Sequence, residues 1–508
     1  MLWQKIRDDE QVAGNAEALF RYIIVLLSFP ESQVKLRDNV LTSLPFMQND
    51  QRFSELALLR ETFESGITRD LSWRISQLLA LQRFLIERER DIAAAVHHDF
   101  RKSAAETFLT ETGYLRGEIR FALKHLVSWM KPRKVSVPLI YQPARASYSP
   151  EPYGVVLIIG AWNYPFNLSL VPLISAIAAG NCAVVKPSEH APRSSALIAE
   201  GVGHYLDQSA IRVFEGGVEA TKALLGERFG YIFYTGSPAI GREVMLAGAR
   251  HLTPLTLELG GKSPCIVDES CDVRVAARRI VWAKFLNAGQ TCLAPDYVLV
   301  HEHREEELLH SMQVAITDFY GDDPRLSPDY PRIVNSGHFH RLKKLLEGSS
   351  LWSGGESNQD ERYIAPTILR GVTPASPLMQ SEIFGPLLPV IAYAELSEAL
   401  DLIRSIDEPL AIYLFSADRE VQKRVVAHSR SGGVCINDLF FHAALHRLPF
   451  GGLGNSGFGV CHGRAGFETF SFQRSVLCRS FSPDPALRYP PYSWWKFRLL
   501  KHLVTFFQ

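Results

Sequence analysis

Apolar residues recur at helical spacing through the first third of the chain and then change to short uninterrupted runs. Between Glu55 and Trp129 they fall as in Leu78, Leu79, Leu81, Phe84 and Leu85, the spacing of an amphipathic helix, with few strand signals. Upstream, the run Leu19 to Phe29 is broken by Arg21 and stops at Pro30. Roughly 20 apolar residues are needed to cross a bilayer as a helix, so this run predicts an amphipathic helix in an appended N-terminal segment, residues 1–50. The piece from Pro132 to Pro152, with Val135-Ser-Val-Pro-Leu-Ile-Tyr141 inside it, is extended and proline-punctuated and reads as a β-arm.

From Gly154 the pattern alternates. Val155 to Ile159, Ala183 to Lys186, Ile211 to Phe214 and Tyr231 to Tyr234 are continuous apolar runs, as expected of strands buried on both faces. Helical stretches such as Leu168 to Ala179 and Pro238 to Ala249 separate them. Alternating strand and helix predicts a right-handed, mostly parallel, doubly wound sheet of the nucleotide-binding type. A second series follows Gly260: Ile266 to Asp268, a helix through Val275 to Phe285, Tyr297 to Val300, Val390 to Ala392, Ile412 to Phe415 and Val434 to Asn437. The expected division is a cofactor domain (51–131 and 152–259), a catalytic domain (260–465), a bridging arm (132–151 and 466–490) and a tail (491–508).

The chain has 508 residues, too many for one simple core. Its 54 basic and 54 acidic residues cancel, which gives no reason to expect nucleic acid as a partner. The seven cysteines are odd in number and scattered, with no Cys-x-x-Cys pair. A disulfide framework and a metal site are therefore not expected, and a reducing, cytoplasmic setting fits. Six of the seven read as small buried hydrophobes; only Cys292 has a context that argues for reactivity.

That context is Asn287-Ala-Gly-Gln-Thr-Cys292. Gly289 permits a tight backbone after a helix, and Gln290 and Thr291 are polar where a core strand would be apolar. In Leu257-Glu258-Leu-Gly-Gly261 a carboxylate ends an apolar run, and the glycines after it allow close approach. A thiolate that forms a covalent intermediate needs a separate base for the water that cleaves it, and this pair supplies both types of group. Asn163, in Trp162-Asn-Tyr-Pro-Phe166, follows a buried strand at the sheet edge where ligands bind. Its amide suits either an oxyanion or the turn before Pro165. Lys186-Pro-Ser-Glu189 ends the next strand, with groups suited to ribose hydroxyls. Gly236-Ser-Pro-Ala-Ile-Gly241 joins strand to helix, but it is not Gly-x-Gly-x-x-Gly, and Arg242-Glu243 stands where a phosphate loop of ATP enzymes needs Lys-Ser/Thr.

Together these motifs resemble the aldehyde dehydrogenase superfamily, most closely its class 3, fatty-aldehyde branch, over roughly Glu55 to Pro491. The resemblance implies the aldehyde dehydrogenase fold and NAD as cofactor, with NADP as the alternative. It implies Cys292 as nucleophile, Glu258 as general base and Asn163 as oxyanion donor. It places the cofactor on Trp162, Lys186, Glu189, Gly236, Ser237, Gly241, Leu259, Glu382 and Phe384. It also implies a homodimer joined through the arm. Tyr164, Phe166, Phe440 and Phe441 are expected to supply apolar pocket walls for medium- to long-chain or other lipophilic aldehydes. The tail Tyr492 to Gln508, drawn as a helix, gathers Trp495, Leu499, Leu500, Leu503, Val504 and Phe507 on one side and Arg498, Lys501, His502 and Thr505 on the other. It is too short and charged to span a bilayer; it suits a membrane surface or docking on its own domain or a second subunit. A CoA-acylating enzyme and a non-catalytic binding protein on the same fold remain the alternatives.

Overall fold

A computed structural model describes residues 45–507. The predicted amphipathic run Leu19 to Phe29 lies outside the described residues. The chain divides into two compact units, 1–61 and 62–508. Within the described residues the first holds the opening turns of the helix Pro45–Ser65; no expected site residue lies in it.

In the second unit five parallel strands form the core of one sheet: β1 (Val155–Ile159), β2 (Cys182–Lys186), β3 (Ile211–Val213), β4 (Tyr231–Gly236) and β5 (Leu255–Leu259). Their spatial order is β5-β4-β1-β2-β3. Every residue of β1 and β2 is buried, which is why both are unbroken apolar runs; each such side chain contributes about 1.5–3 kcal/mol of burial. The chain leaves β1 in one direction to β2 and β3, then returns to the other side for β4 and β5. That reversal opens a crevice at the carboxyl ends of β1 and β4. Register aligns those ends, with Ile159 opposite both Lys186 and Tyr234. The helix Pro165–Ala179 starts with Pro at its first position and stops at Gly180, whose φ of 91° an L side chain would resist.

The second sheet contains β6 (Pro264–Val267), β7 (Tyr297–His301), β8 (Leu351–Ser353), β9 (Thr367–Leu369), β10 (Leu387–Tyr393), β11 (Ala411–Phe415) and β12 (Gly433–Ile436), ordered β8-β9-β10-β7-β6-β11-β12. Only β8 runs antiparallel to its neighbour. The sequence gives no clear periodicity for β8 and β9, which are three residues each.

The arm is a three-stranded antiparallel sheet of Arg133–Val135, Ala144–Pro152 and Ser471–Arg479. Three features differ from expectation. Leu139–Tyr141 is a turn of 3-10 helix rather than β-arm, held by the hydrogen bond from Tyr141 N to Pro138 O (3.0 Å). Cys478 is exposed and Cys271, Cys435 and Cys461 are only partly buried; Cys478 lies on a strand at an edge of the arm sheet among the described residues. Gly457–Phe458, in the stretch assigned to the catalytic domain, returns to the first sheet and pairs antiparallel with β5, Gly457 opposite Glu258. The tail forms the helix Trp494–Phe507. No helix among the described residues is long and apolar enough to cross a membrane.

Candidate active site

Cys292 follows three consecutive residues with left-handed backbone, Asn287 (φ 52°), Ala288 (φ 52°) and Gly289 (φ 74°). Two of these are not glycine, and such conformations persist only where the surroundings enforce them. Here side-chain hydrogen bonds do so. Asn287 N donates to Glu106 Oε1 (2.9 Å), and Asn287 Nδ2 donates to Asn163 O (2.8 Å) and Gln290 O (3.1 Å). The buried Gln290 donates through Nε2 to Asn287 O (2.9 Å) and Arg332 O (3.1 Å) and accepts from Val334 N (2.9 Å). The polar residues that look out of place in the sequence are therefore the scaffold of the loop.

Burial pushes the Cys292 thiol up to about 12, and the carboxylates of Glu382 and Glu258 add to this; the backbone N–H groups of Cys292 and Leu293 oppose it. Glu258 is buried in β5, and neither carboxylate oxygen has a hydrogen-bond partner among the described residues. Burial alone raises its carboxyl well above the usual range. A Cβ at Gly457 would overlap the Leu257 carbonyl, so glycine is required for the return strand to lie against Glu258.

Asn163, also buried, donates from Nδ2 to Gln290 O (3.0 Å), which joins the loop after β1 to the cysteine loop. Trp162 lies edge-on to Phe384 with ring centroids 5.3 Å apart. At the end of β2, Lys186 donates to Glu189 Oε2 (2.9 Å). Burial pushes the Glu189 carboxyl up, but the hydrogen bonds from Lys186 and from its own backbone outweigh this and leave it below the usual value. Ser237 caps the helix Pro238–His251, its Oγ accepting from Ile240 N (3.5 Å). Gly241 lets that helix close on Leu259: a Cβ there would lie 2.9 Å from the Leu259 side chain.

Glu382 and Phe384 occupy the turn before β10. Burial raises the Glu382 carboxyl to about 8, with Asp296 adding and Gly261 N–H, Lys262 and Lys284 opposing. A Cβ at Gly260 would overlap the Glu382 carboxylate. Lys262 pairs with Asp296 and donates to Leu378 O (2.7 Å) and Ser381 O (3.1 Å), while Asp296 accepts from Ile383 N (2.9 Å). This buried pair clamps the turn. Nothing in its local sequence distinguishes it, and the motif reading missed it. It also missed Lys284, fully buried with no partner for its amine among the described residues and lowered by burial to about 8.

The expected pocket walls differ in burial and partners. Phe440 (ring centroids 5.7 Å) and Phe441 (6.4 Å) gather on Trp282, an aromatic the motifs did not single out, and Phe441 is exposed. Tyr164 is buried with its hydroxyl committed to Thr291 Oγ1 (2.6 Å). Phe166 is fully buried in the first helical turn after Pro165; its ring meets no open space, so it is core and not wall. No metal site was expected. Among the described residues Glu269, His301 and His303 bring ligand atoms within 4.8 Å of one another; Glu269 and His303 are exposed and already hydrogen-bonded to each other (3.4 Å).

The groups at the sheet edge suit a dinucleotide: a lysine–carboxylate pair for ribose hydroxyls, a serine-capped helix N-terminus for phosphates, and a second buried carboxylate beside the thiol. Fold and site together define an α/β oxidoreductase with a loop cysteine at the crevice of a dinucleotide-type sheet. The chain belongs to the Aldehyde dehydrogenase family, whose profile matches residues 41–476, and its activity is the oxidation of aldehydes. It is 48% identical to aldehyde dehydrogenase family 3 member A2 of Rattus norvegicus, covering 87% of this chain and 93% of that protein. It is also 48% identical to family 3 member B1 of Homo sapiens, covering 88% and 96%. Among solved structures, substrate-bound Staphylococcus aureus AldH superposes with a TM-score of 0.87 at 42% identity, covering 89% of this chain and 99% of that one. The family uses NAD or NADP.

Proposed function

We propose that this enzyme oxidises lipophilic aldehydes through an acyl thioester on Cys292, with NAD preferred. The observation that carries the reading is the company of the Cys292 loop: Asn163 Nδ2 donates to it at Gln290 O (3.0 Å), and Glu258 is buried with no hydrogen-bond partner among the described residues, its charge acting on the thiol. With its thiol pushed up to about 12, Cys292 holds its proton at neutral pH; Glu258 takes that proton and releases it to bulk water before the thioester is hydrolysed, so that its carboxylate is free again for the second step. The thiolate attacks the aldehyde carbon. Asn163 Nδ2 and Cys292 N–H stabilise the oxyanion; one such donor is worth about 2.7–4 kcal/mol. When bound, the nicotinamide cofactor supplies the hydride acceptor. Hydride leaves the thiohemiacetal carbon, and the carbonyl of the thioester forms. Glu258 then removes a proton from water as it attacks, the sulfur departs, and the carboxylic acid is released. A charged Glu189 beside Lys186 supports NAD over its 2′-phosphorylated form.

The test separates the two roles. Cys292→Ala abolishes NADH formation, including the first turnover. Glu258→Gln retains some acylation but blocks deacylation, and an undiminished steady-state rate removes Glu258 from the mechanism. Aromatics at Trp282, Phe440 and Phe441 support a lipophilic substrate; a kcat/KM that does not rise from acetaldehyde to decanal counts against it.

Two further features belong to the proposal. Among the described residues the arm strand Ser471–Arg479 pairs on one side only and exposes Val476 and Leu477. Open edges of this length invite pairing with another chain, which supports a homodimer. The helix Trp494–Phe507 leaves Trp494, Trp495, Phe497 and Phe506 exposed beside Arg498 and Lys501, a composition that suits a membrane surface.

A further inference from the structure

One buried charged cluster, Lys102, Glu106 and Glu111, has no part in the chemistry above. The side chains of Lys102 and Glu111 are wholly buried, with Nζ 4.0 Å from Glu111 Oε1, and Glu106 is buried. All three come from one stretch of chain. The helix Glu89–Phe100 breaks at Arg101 (φ 55°), and Ser103 caps the restart. Then follow Ala104–Thr107, a single π-helical turn Phe108–Thr112, and the helix Gly113–Trp129. In a regular α-helix, residues five apart such as Glu106 and Glu111 project about 140° from each other. The wider π turn reduces that divergence, and turns of this kind mark functional sites.

Each charged end meets a different support of the site. Glu106 Oε1 accepts from Asn287 N (2.9 Å), the first left-handed residue of the cysteine loop. Lys102 Nζ donates to Asn163 O (3.4 Å) and stands 4.3 Å from the centre of the Tyr164 ring. Glu111 Oε2 accepts from Asn167 N (2.7 Å), in the first turn of the helix that follows Asn163. Asn163 and Asn287 are themselves tied together through Asn163 O. Burial raises the Glu106 and Glu111 carboxyls to about 7 despite the neighbouring Lys102. Apolar side chains of similar size fill such space at least as favourably, so packing alone gives these charges no advantage.

We propose that Lys102, Glu106 and Glu111 are positioning residues of the oxyanion hole, fixing the Asn163 peptide and the left-handed Asn287–Ala288 backbone so that the Asn163 amide and Cys292 N–H converge. This rests on Asn163 being the oxyanion donor. The prediction is a fall in the rate of acylation with little change in aldehyde binding. Geometric errors near 1 Å at a reacting centre cost about 10²-fold.

The test measures first-turnover NADH formation, kcat and KM in the full chain, with Tm recorded for each variant. Glu106→Leu, which removes the acceptor for Asn287 N, lowers the acylation rate about 10–100-fold with KM within about threefold. Glu106→Gln keeps an acceptor oxygen at the same reach and restores most of the rate. Lys102→Met, which loses the bond to Asn163 O, gives an independent loss should Glu106→Leu not fold. In an Asn163→Ala background the Glu106→Leu penalty shrinks to near onefold, because the group it positions is gone. A full penalty there, or a lower Tm with an unchanged acylation rate, overturns the proposal. Undiminished acylation by Asn163→Ala alone overturns instead the assignment of Asn163 as donor.

Discussion

Replacing Gly289 by alanine tests whether the cysteine loop and the Glu382–Phe384 turn are held in register by backbone contact. Gly289 has φ 74°, a conformation that costs an L residue about 1–2 kcal/mol. The added Cβ would also lie within 2.5 Å of the Gly385 carbonyl carbon and 3.1 Å of Lys284 O. Real Cβ atoms essentially never come closer than 3.0 Å to such atoms, so the two loops must part by at least 0.5 Å (3.0 minus 2.5). Gly385 cannot readily retreat, because it is packed against Leu342 and precedes Pro386. The displacement falls three residues before the thiol, and kcat/KM should drop about 10–100-fold. Gly321→Ala is the control: its φ is 79° with nothing within 4 Å of the new Cβ, so it carries the backbone penalty without the clash. Initial NADH production at 340 nm, with thermal unfolding of both variants, provides the measurement. A Gly289→Ala enzyme with kcat/KM within twofold of the parent refutes the reasoning, as does an equal loss in Gly321→Ala.

Three further outcomes are expected. Alkylation of Cys292 by iodoacetamide in the cofactor-free protein should be slow at pH 8, where a thiol near 12 is only about 10⁻⁴ ionised, and should rise about tenfold per pH unit from 7 to 10; a plateau by pH 9, followed by peptide mass spectrometry, contradicts this. The same raised value means that the unfolded thiol ionises near 9.0 while the native one does not, so this group's contribution to stability is lost as pH rises above that point. Leu477→Asp, on the open arm edge, should weaken a dimer about 10²-fold or more in light-scattering chromatography and leave the monomer's Tm nearly unchanged. Removal of residues 492–508 should abolish co-flotation with anionic phospholipid vesicles while sparing turnover of a water-soluble aldehyde; equal flotation of both forms assigns the membrane contact elsewhere.

Much of the candidate site was legible in the sequence because the groups proposed for it lie in motifs that violate the local pattern. Glu258 interrupts an apolar strand, Gln290 and Thr291 replace apolar core residues before Cys292, and Lys186 ends an uninterrupted run. Such departures are visible without coordinates, since a polar group in a buried segment must be hydrogen-bonded or used. The periodicity located β1, β2 and β4 to within a residue or two for the same reason: strands covered on both faces carry no polar side.

The long-range pairings were not legible. Glu106 lies 181 positions from Asn287, and Gly457 pairs with Glu258 199 positions (457 minus 258) before it. Lys262, Asp296 and Lys102 sit in ordinary-looking sequence, since what distinguishes them is burial, and burial follows from how sheets and helices close on one another. Phe166 shows the converse: an aromatic beside a site motif that the helix packs wholly inside. One chain therefore determined by itself its strand and helix periods and the identity of its candidate reactive groups, which depend on neighbours a few positions away. Which backbone those groups face, which carboxylates act on the thiol, and which charges brace the loop depended on contacts between distant segments, and only the folded arrangement decided them.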